Sequence, residues 1–179
     1  MDASSKYQDS LPVSADALVA DLKARGFCFS EHMHEPLMTV AQSKAARGDM
    51  LAEANGGGHI KNLYLRDKKK ANYLFVVRED RDVDLKALSD LTGAARFSFG
   101  SAERLMTNLG VRPGAVTPMA MVTGAAMGVR LFLDASLRNC REIYMHPLVN
   151  DRTIGMSPSD LERFLEALEC PYSWLDPTG

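Results

Sequence analysis

Two apolar runs flank five consecutive polar residues between Leu63 and Val77, and that pattern predicts a β-hairpin. Leu63-Tyr64-Leu65 leads into Arg66-Asp67-Lys68-Lys69-Lys70, and Tyr73-Leu74-Phe75-Val76-Val77 returns. Aromatic and β-branched side chains suit a pleated, half-buried surface, while the charges stay in water at the tip. An isolated hairpin is barely stable, so more strands or a helix must cover it. The rest of the chain supplies both. Ser14 caps a helix with Leu18, Val19 and Leu22 on one face and Gly26 as its stop, and Thr39 with Gln42 gives a capping-box pattern for a second helix ending at Gly48. Leu85, Leu88 and Leu91 mark a helix closed by Gly93, and Ser101 opens one that stops at Gly110. Ser157-Pro158 starts the last helix, with Leu161, Phe164, Leu165 and Leu168 on its buried face. Phe27-Cys28-Phe29, Arg96-Phe97-Ser98-Phe99, Val129–Leu133 and Ile143–Met145 read as further strands. Short strands mixed irregularly with helices, some of them hairpin-joined, point to one α+β domain over residues 11–179 behind a loose polar leader at 1–10.

Composition bounds the function. The 179 residues are 46% apolar and 25% charged, enough for one globular core, and this excludes disordered, collagen-like and coiled-coil chains. Lys and Arg number 21 against 23 Asp and Glu, so bulk electrostatic coating of nucleic acid is excluded and any such contact has to be local. No apolar run approaches the ~20 residues of a membrane span. The polar start MDASSKYQDS carries no secretory signal. Cys28, Cys140 and Cys170 are widely spaced and odd in number, which reads as reduced thiols of a cytoplasmic protein.

Two segments break the pattern of an ordinary core. Gly56-Gly57-Gly58 would let the backbone approach a ligand and turn amides toward an anion, and Lys61 and Asn62 follow on opposite faces of a starting strand. Lys61 either holds a phosphate or developing oxyanion, or is a solvated lysine after a flexible loop; the spacing is not that of a Walker loop. The run from Gly110 through Pro113, Gly114 and Ala115 to Pro118 demands a stiff turn. It either presents backbone groups to a small ligand or simply connects a helix to a strand. His146, in His146-Pro147-Leu148-Val149-Asn150, is a general base, a hydrogen-bond donor or a satisfied strand terminus. His32 and His34 alternate onto one strand face with Cys28 alone nearby, too few ligands for zinc, so no metal is assigned. No GxSxG, HExxH or Cys–His nucleophile pattern occurs. Met119, Met121 and Met127 read as core filling. The lysines at the hairpin tip are either a solvated turn or a hold on a few phosphates, at about one released counterion each.

Taken in order, GGGHIKNLYLRDKKKANYLFVV, RFSFGSAERLMTNLGVRPGAVTP, LFLD and HPLVNDRTIGMSPSDLERFL resemble the prolyl-tRNA editing proteins, free-standing relatives of the editing domain inserted in bacterial prolyl-tRNA synthetases. The likeness runs from about His34 to Phe164. GHIKN and HPLVN are closer to the branch that deacylates alanyl-tRNA(Pro) than to the cysteinyl-tRNA branch. The resemblance implies a single YbaK-like domain whose mixed, mostly antiparallel, barrel-like sheet is surrounded by helices. It implies that Lys61 is the functional lysine, accompanied by Asn62 and His146. It also implies a substrate loop of Gly110, Pro113, Gly114 and Ala115, with His34 and Gly58 among the substrate-binding residues. The chain departs from its relatives at Thr123-Gly124, where an Asn-Asp-type turn is usual, and at Met119, where an aromatic residue is.

The activity has its own physical rationale. A pocket that admits proline also admits the smaller alanine, and each missing methylene is worth only ~1–3 kcal/mol of discrimination, so a second hydrolytic site is the usual remedy. The substrate is an activated ester, and water attack on it needs positioning and oxyanion stabilisation more than a covalent nucleophile. The expected function is therefore a trans-acting deacylase of Ala-tRNA(Pro), with no span left for a synthetase body. Lys61 holds the terminal phosphate or ester oxygens, and the 110–114 loop grips the aminoacyl group and its α-amine. His146 excludes proline or orients water, and Asn62 fixes the ribose or the loop. The resemblance implies that the neighbouring 2′-hydroxyl of the substrate assists, without a cofactor. Arg66, Lys68, Lys69 and Lys70 would touch the acceptor stem, and prolyl-tRNA synthetase is a possible partner. The competing readings are hydrolysis of Cys-tRNA(Pro) or Ser-tRNA, a non-catalytic module that binds a tRNA 3′ end, and an inactive domain that docks on a synthetase.

Overall fold

In the computed structural model, which describes residues 1–177, the hairpin is the spine of the sheet. Eight strands are present among the described residues: β1 (Phe29–Met33), β2 (Gly57–Asp67), β3 (Asn72–Arg78), β4 (Phe97–Phe99), β5 (Arg130–Asp134), β6 (Glu142–Met145), β7 (Arg152–Met156) and β8 (Tyr172–Leu175). They run in the order β1-β7-β6-β2-β3-β5-β8, with β4 added to β2. Pairings β1/β7, β6/β7, β2/β3 and β2/β4 are antiparallel, whereas β2/β6, β3/β5 and β5/β8 are parallel. The path ends on β1 and β8, so the mixed sheet is open rather than a closed barrel.

Tyr73–Val77 reads as an unbroken apolar run because both faces of β3 are covered. Alternation sends Tyr73 and Phe75 to a small cluster with Leu65, Leu88 and Phe97, and Leu74 and Val76 to the main core. The helix α3 (Leu85–Thr92) closes the small cluster and ends at Gly93, whose φ of 65° suits glycine. The main core is covered by α1 (Ala15–Ala24), α4 (Ala102–Leu109) and α6 (Pro158–Ala167). Their starts follow the caps in the sequence. Ser14, Ser101 and Ser157 accept from Ala17, Arg104 and Asp160 backbone N–H groups, each cap contributing about 1 kcal/mol. The short α2 (Val40–Ala45) has the full Thr39/Gln42 capping box and stops three residues before Gly48. The single turn α5 (Met121–Gly124) precedes β5.

Several expectations need correction. Residues 1–10 are not a loose leader: Ser5–Ser10 forms a 3-10 helix, Ala3 and Ser4 are buried, and Ser5 is bonded to Asp151. The segment lacked any apolar periodicity, and its order comes from polar bonds to distant residues. The strand expected at Phe27 begins at Phe29, because Phe27 instead turns into the core and meets Phe164 edge-on at 6.3 Å. β7 and β8 were not anticipated; each is short, β8 pairs with β5 far back in the sequence, and β7 lies between the distant β1 and its sequence neighbour β6. Met119 and Met121 are fully buried, but Met127 is exposed.

Candidate active site

β2 pairs with β6 through Gly57–His59 and with β4 through Leu65–Asp67 on one edge, and with β3 through Ile60–Arg66 on the other. Ile60 to Leu63 therefore have no strand partner on the β6/β4 edge. A cavity of about 270 Å³ opens beside them, near the small end for ligand sites. Ile60, Lys61 and Asn62 form one side, Tyr144, Met145 and His146 a second, and Gly114 with Val116 a third. Leu37, Met38, Val40, Ser43 and Met50 close it from the segment around α2. Lys61 and Asn62 both line it although they are successive in the strand, because the cavity lies on the strand's open edge rather than on one face.

Three polar groups meet there with unused capacity. Lys61 makes no hydrogen bond or ion pair with any described residue, so its ammonium is available. The side-chain amide of Asn62 donates to the Val116 carbonyl at 2.8 Å, which ties the 110–118 loop to β2. Its Oδ1 is buried without a partner, an acceptor that a ligand N–H or O–H would satisfy. His146 places Nδ1 2.7 Å from the Arg152 carbonyl. That oxygen only accepts, so Nδ1 carries the proton and the neutral ring leaves Nε2 as an acceptor. Burial, with His34 nearby at 6.1 Å between ring centroids, pushes the His146 pKa below its ordinary value.

The support around these groups was less visible in the sequence. His59 is buried and stacks on Tyr144 at 5.0 Å. Its Nε2 bonds the Leu51 carbonyl at 2.8 Å, and the Leu51 N–H donates to the Tyr144 hydroxyl, also at 2.8 Å. One backbone residue is thus held at both ends, which anchors the covering segment beside Met50. Burial lowers the His59 pKa and pushes the Tyr144 hydroxyl up to about 12. Glu79 lines the cavity but is ion-paired with Arg47, and Lys44 holds the Asp80 carboxyl below its usual range. Ser43 faces the cavity with no histidine nitrogen bonded to it among the described residues. The one hint of these residues in the sequence was His59, inside GHIKN.

Of the residues singled out from the sequence, Lys61, Asn62, Gly114 and His146 come together at the cavity. Gly110, Pro113, Ala115, His34 and Gly58 do not line it. Gly110 ends α4 at φ 66°, Pro113 is exposed and Ala115 is fully buried. His34 bonds Thr153 Oγ1 at 2.8 Å and Glu35 O at 2.8 Å. The glycine triplet is no anion cradle. A Cβ on Gly57 would sit 2.0 Å from the Leu51 carbonyl oxygen and one on Gly58 2.9 Å from Cys140 Sγ, so their bareness admits the protein's own chain. His32 bonds Ser30 Oγ at 3.0 Å, and its HxH alternation with His34 gathers no third ligand among the described residues. The acidic trio Glu53, Glu79 and Asp80 contains neither residue. Arg66 and the exposed Lys68, Lys69 and Lys70 lie at the hairpin tip, roughly 20 Å along β2 from Lys61 at about 3.3 Å per residue.

The aminoacyl-tRNA editing domain family matches residues 34–164, a span that holds Lys61, Asn62, Gly114 and His146. The chain belongs to the aminoacyl-tRNA editing domain family. Among curated members, the prolyl-tRNA editing protein ProX of Acetoanaerobium sticklandii is 31% identical over 84% of this chain and 90% of its own. Prolyl-tRNA synthetase associated domain-containing protein 1 of Danio rerio is 40% identical, but over 59% of each chain, so the match spans little more than half of that relative's length. The fold agrees with solved structures. A candidate trans-editing enzyme for prolyl-tRNA synthetase superposes with a TM-score of 0.65 at 20% identity, covering 90% of this chain and 96% of that one. In an editing domain, a small cavity with an available cation and two available acceptors is suited to an aminoacyl ester. No helix among the described residues is long and apolar enough to cross a membrane.

Proposed function

We propose that the chain is a trans-acting aminoacyl-tRNA deacylase that hydrolyses mischarged Ala-tRNA(Pro). The observation that carries this reading is the small cavity that brings together the Lys61 ammonium, Asn62 Oδ1 and His146 Nε2 beside Gly114. Lys61 stabilises the terminal phosphate or the negative charge that grows on the ester oxygens as water attacks. Asn62 Oδ1 accepts from the α-ammonium or a ribose hydroxyl, while its amide keeps the substrate loop in place at Val116. Neutral His146 accepts a hydrogen bond from the attacking water or bounds the side-chain pocket against proline. The substrate's own vicinal 2′-hydroxyl completes the donor set, and the chain supplies positioning rather than a covalent nucleophile.

The relatives named for prolyl-tRNA editing support tRNA(Pro) as the carrier. Arg66, Lys68, Lys69 and Lys70 contact the acceptor stem. In support, these cations and nearby Arg96 and Arg104 take part in no ion pair among the described residues, and the exposed Phe99 lies on β4 opposite Leu65, next to Arg66. Prolyl-tRNA synthetase is the partner whose errors the chain corrects, in the cytoplasm where charging occurs.

The test is to incubate the protein with alanyl-, cysteinyl-, seryl- and prolyl-tRNA(Pro) and follow ester loss. Loss of the alanyl ester alone, abolished by Lys61→Ala, is the expected result. Preference for the cysteinyl or seryl ester would move the substrate assignment. Binding without loss of any ester would leave a 3′-end-binding module.

A further inference from the structure

Residues 1–10 precede the span shared with the editing family, yet they touch two loops on which the cavity depends. At one end, the Asn150 N–H donates to the Ala3 carbonyl at 2.9 Å. Ser5 donates its N–H and its hydroxyl to the Asp151 carboxylate, at 3.0 and 2.6 Å. At the other, Arg112 donates to Ser10 Oγ at 2.6 Å and to the Tyr7 carbonyl at 3.4 Å. Between them the Gln8 side chain bonds both the backbone N–H and the carboxylate of Asp16, which pins the segment to the start of α1.

The first set of bonds fixes the exit of the turn that His146 opens, and the second fixes the loop that contains Gly114. Both of those residues face the cavity. The His146 turn also needs external support. Leu148 is buried at a φ of 70°, a left-handed conformation that a non-glycine residue keeps only when its surroundings over-determine it.

We propose that residues 3–10 form a positioning strap that sets the separation of the His146 and Gly114 walls, and so the size of aminoacyl group the cavity admits. Ser5 and Ser10 are its positioning residues, received by Asp151 and Arg112. The size-selection part rests on the deacylase reading above; the mechanical part does not.

The experiment compares the full chain with Ser5→Ala/Ser10→Ala, Arg112→Ala and Arg112→Lys. The first readout is amide hydrogen exchange. The double variant is expected to speed exchange at least roughly tenfold in both residues 146–153 and residues 110–115 while β3 keeps its protection. Arg112→Lys should retain more protection than Arg112→Ala. Unchanged exchange in the two loops, or a uniform rise over the whole chain, would overturn the strap. The second readout is the ratio of kcat/KM for alanyl- to prolyl-tRNA(Pro), expected to fall several-fold. Loss of folded protein scales both esters equally and cannot move that ratio. An unmoved ratio with loosened loops would overturn size selection. If the unaltered chain hydrolyses no ester, the deacylase reading fails while exchange still decides the strap. Should the double variant not fold, Asp151→Asn and the Arg112 pair carry the same comparison.

Discussion

Lys61 and Gly57 sit four residues apart on one strand and answer to different physics. Lys61 makes no hydrogen bond or ion pair with its side chain among the described residues, so its removal should cost little stability. Lys61→Ala is expected to lower deacylation at least about 10²-fold, the scale of losing one oxyanion donor, with a melting temperature close to that of the unaltered chain. Gly57 is the reverse case, remote from ligand chemistry and sterically required. Gly57→Ala would drive a methyl to 2.0 Å from the Leu51 carbonyl oxygen, so denaturant unfolding should show a loss of about 1–3 kcal/mol or more. The histidines give a pH dependence with a defined sign. Burial depresses the pKa of His59 and His146 in the folded state below the ordinary 6.5, so the unfolded chain takes up protons first as pH falls. Stability is then fully present above pH 6.5 and declines below it, toward the depressed folded values. Chemical denaturation between pH 8 and 5 should show that decline, and His59→Gln should flatten it. Of the site, Lys61, Asn62 and His146 were legible as polar residues in distinctive settings. Glu79, Tyr144 and Ser43 were not, since nothing in a single sequence marks a residue whose neighbours arrive from another strand.

At the scale of elements, the parts with local causes were legible. Helices α1, α3, α4 and α6 have their caps and stops where Ser14, Gly93, Ser101, Gly110 and Ser157 put them, and the hairpin turns at its charges. Elements held by distant partners were missed or displaced. β7 needs the distant β1 on one side as well as its sequence neighbour β6 on the other, and the 3-10 segment exists because Asp151 and Arg112 receive it. The covering segment over the cavity belongs with these, anchored at Leu51 by Tyr144 and His59. Tyr144→Phe removes the acceptor of the Leu51 N–H. It should cost about 1–3 kcal/mol, the penalty for an unsatisfied buried donor, and speed amide exchange at Leu51 well before β3 is affected. Equal protection of Leu51 in both proteins would show that the clamp does not hold the segment.

The whole molecule carries a net charge of -2, yet its charges are not evenly distributed. Many cations elsewhere are tied up: Lys23, Arg25, Lys44, Arg47, Arg81 and Arg152 each pair with a carboxylate. The hairpin tip keeps Lys68, Lys69 and Lys70 exposed. Replacing these three lysines by glutamine should weaken tRNA binding and reduce its salt dependence by about one counterion per lysine. Hydrolysis of a short aminoacylated 3′-end mimic, too short to span the roughly 20 Å from cavity to tip, should be unaffected. The sequence alone determined what depends on neighbours within a few residues: helix ends, the hairpin, the apolar faces, and the motifs that resemble an editing family. Tertiary structure alone decided where those pieces meet. The unpaired edge of β2 is a property of which strands flank it, and the glycine triplet is a packing need that appears only once Leu51 and Cys140 are in place. The bonds from Ser5 to Asp151 and from Arg112 to Ser10 close loops of more than a hundred residues, a separation at which no local pattern in the chain records them.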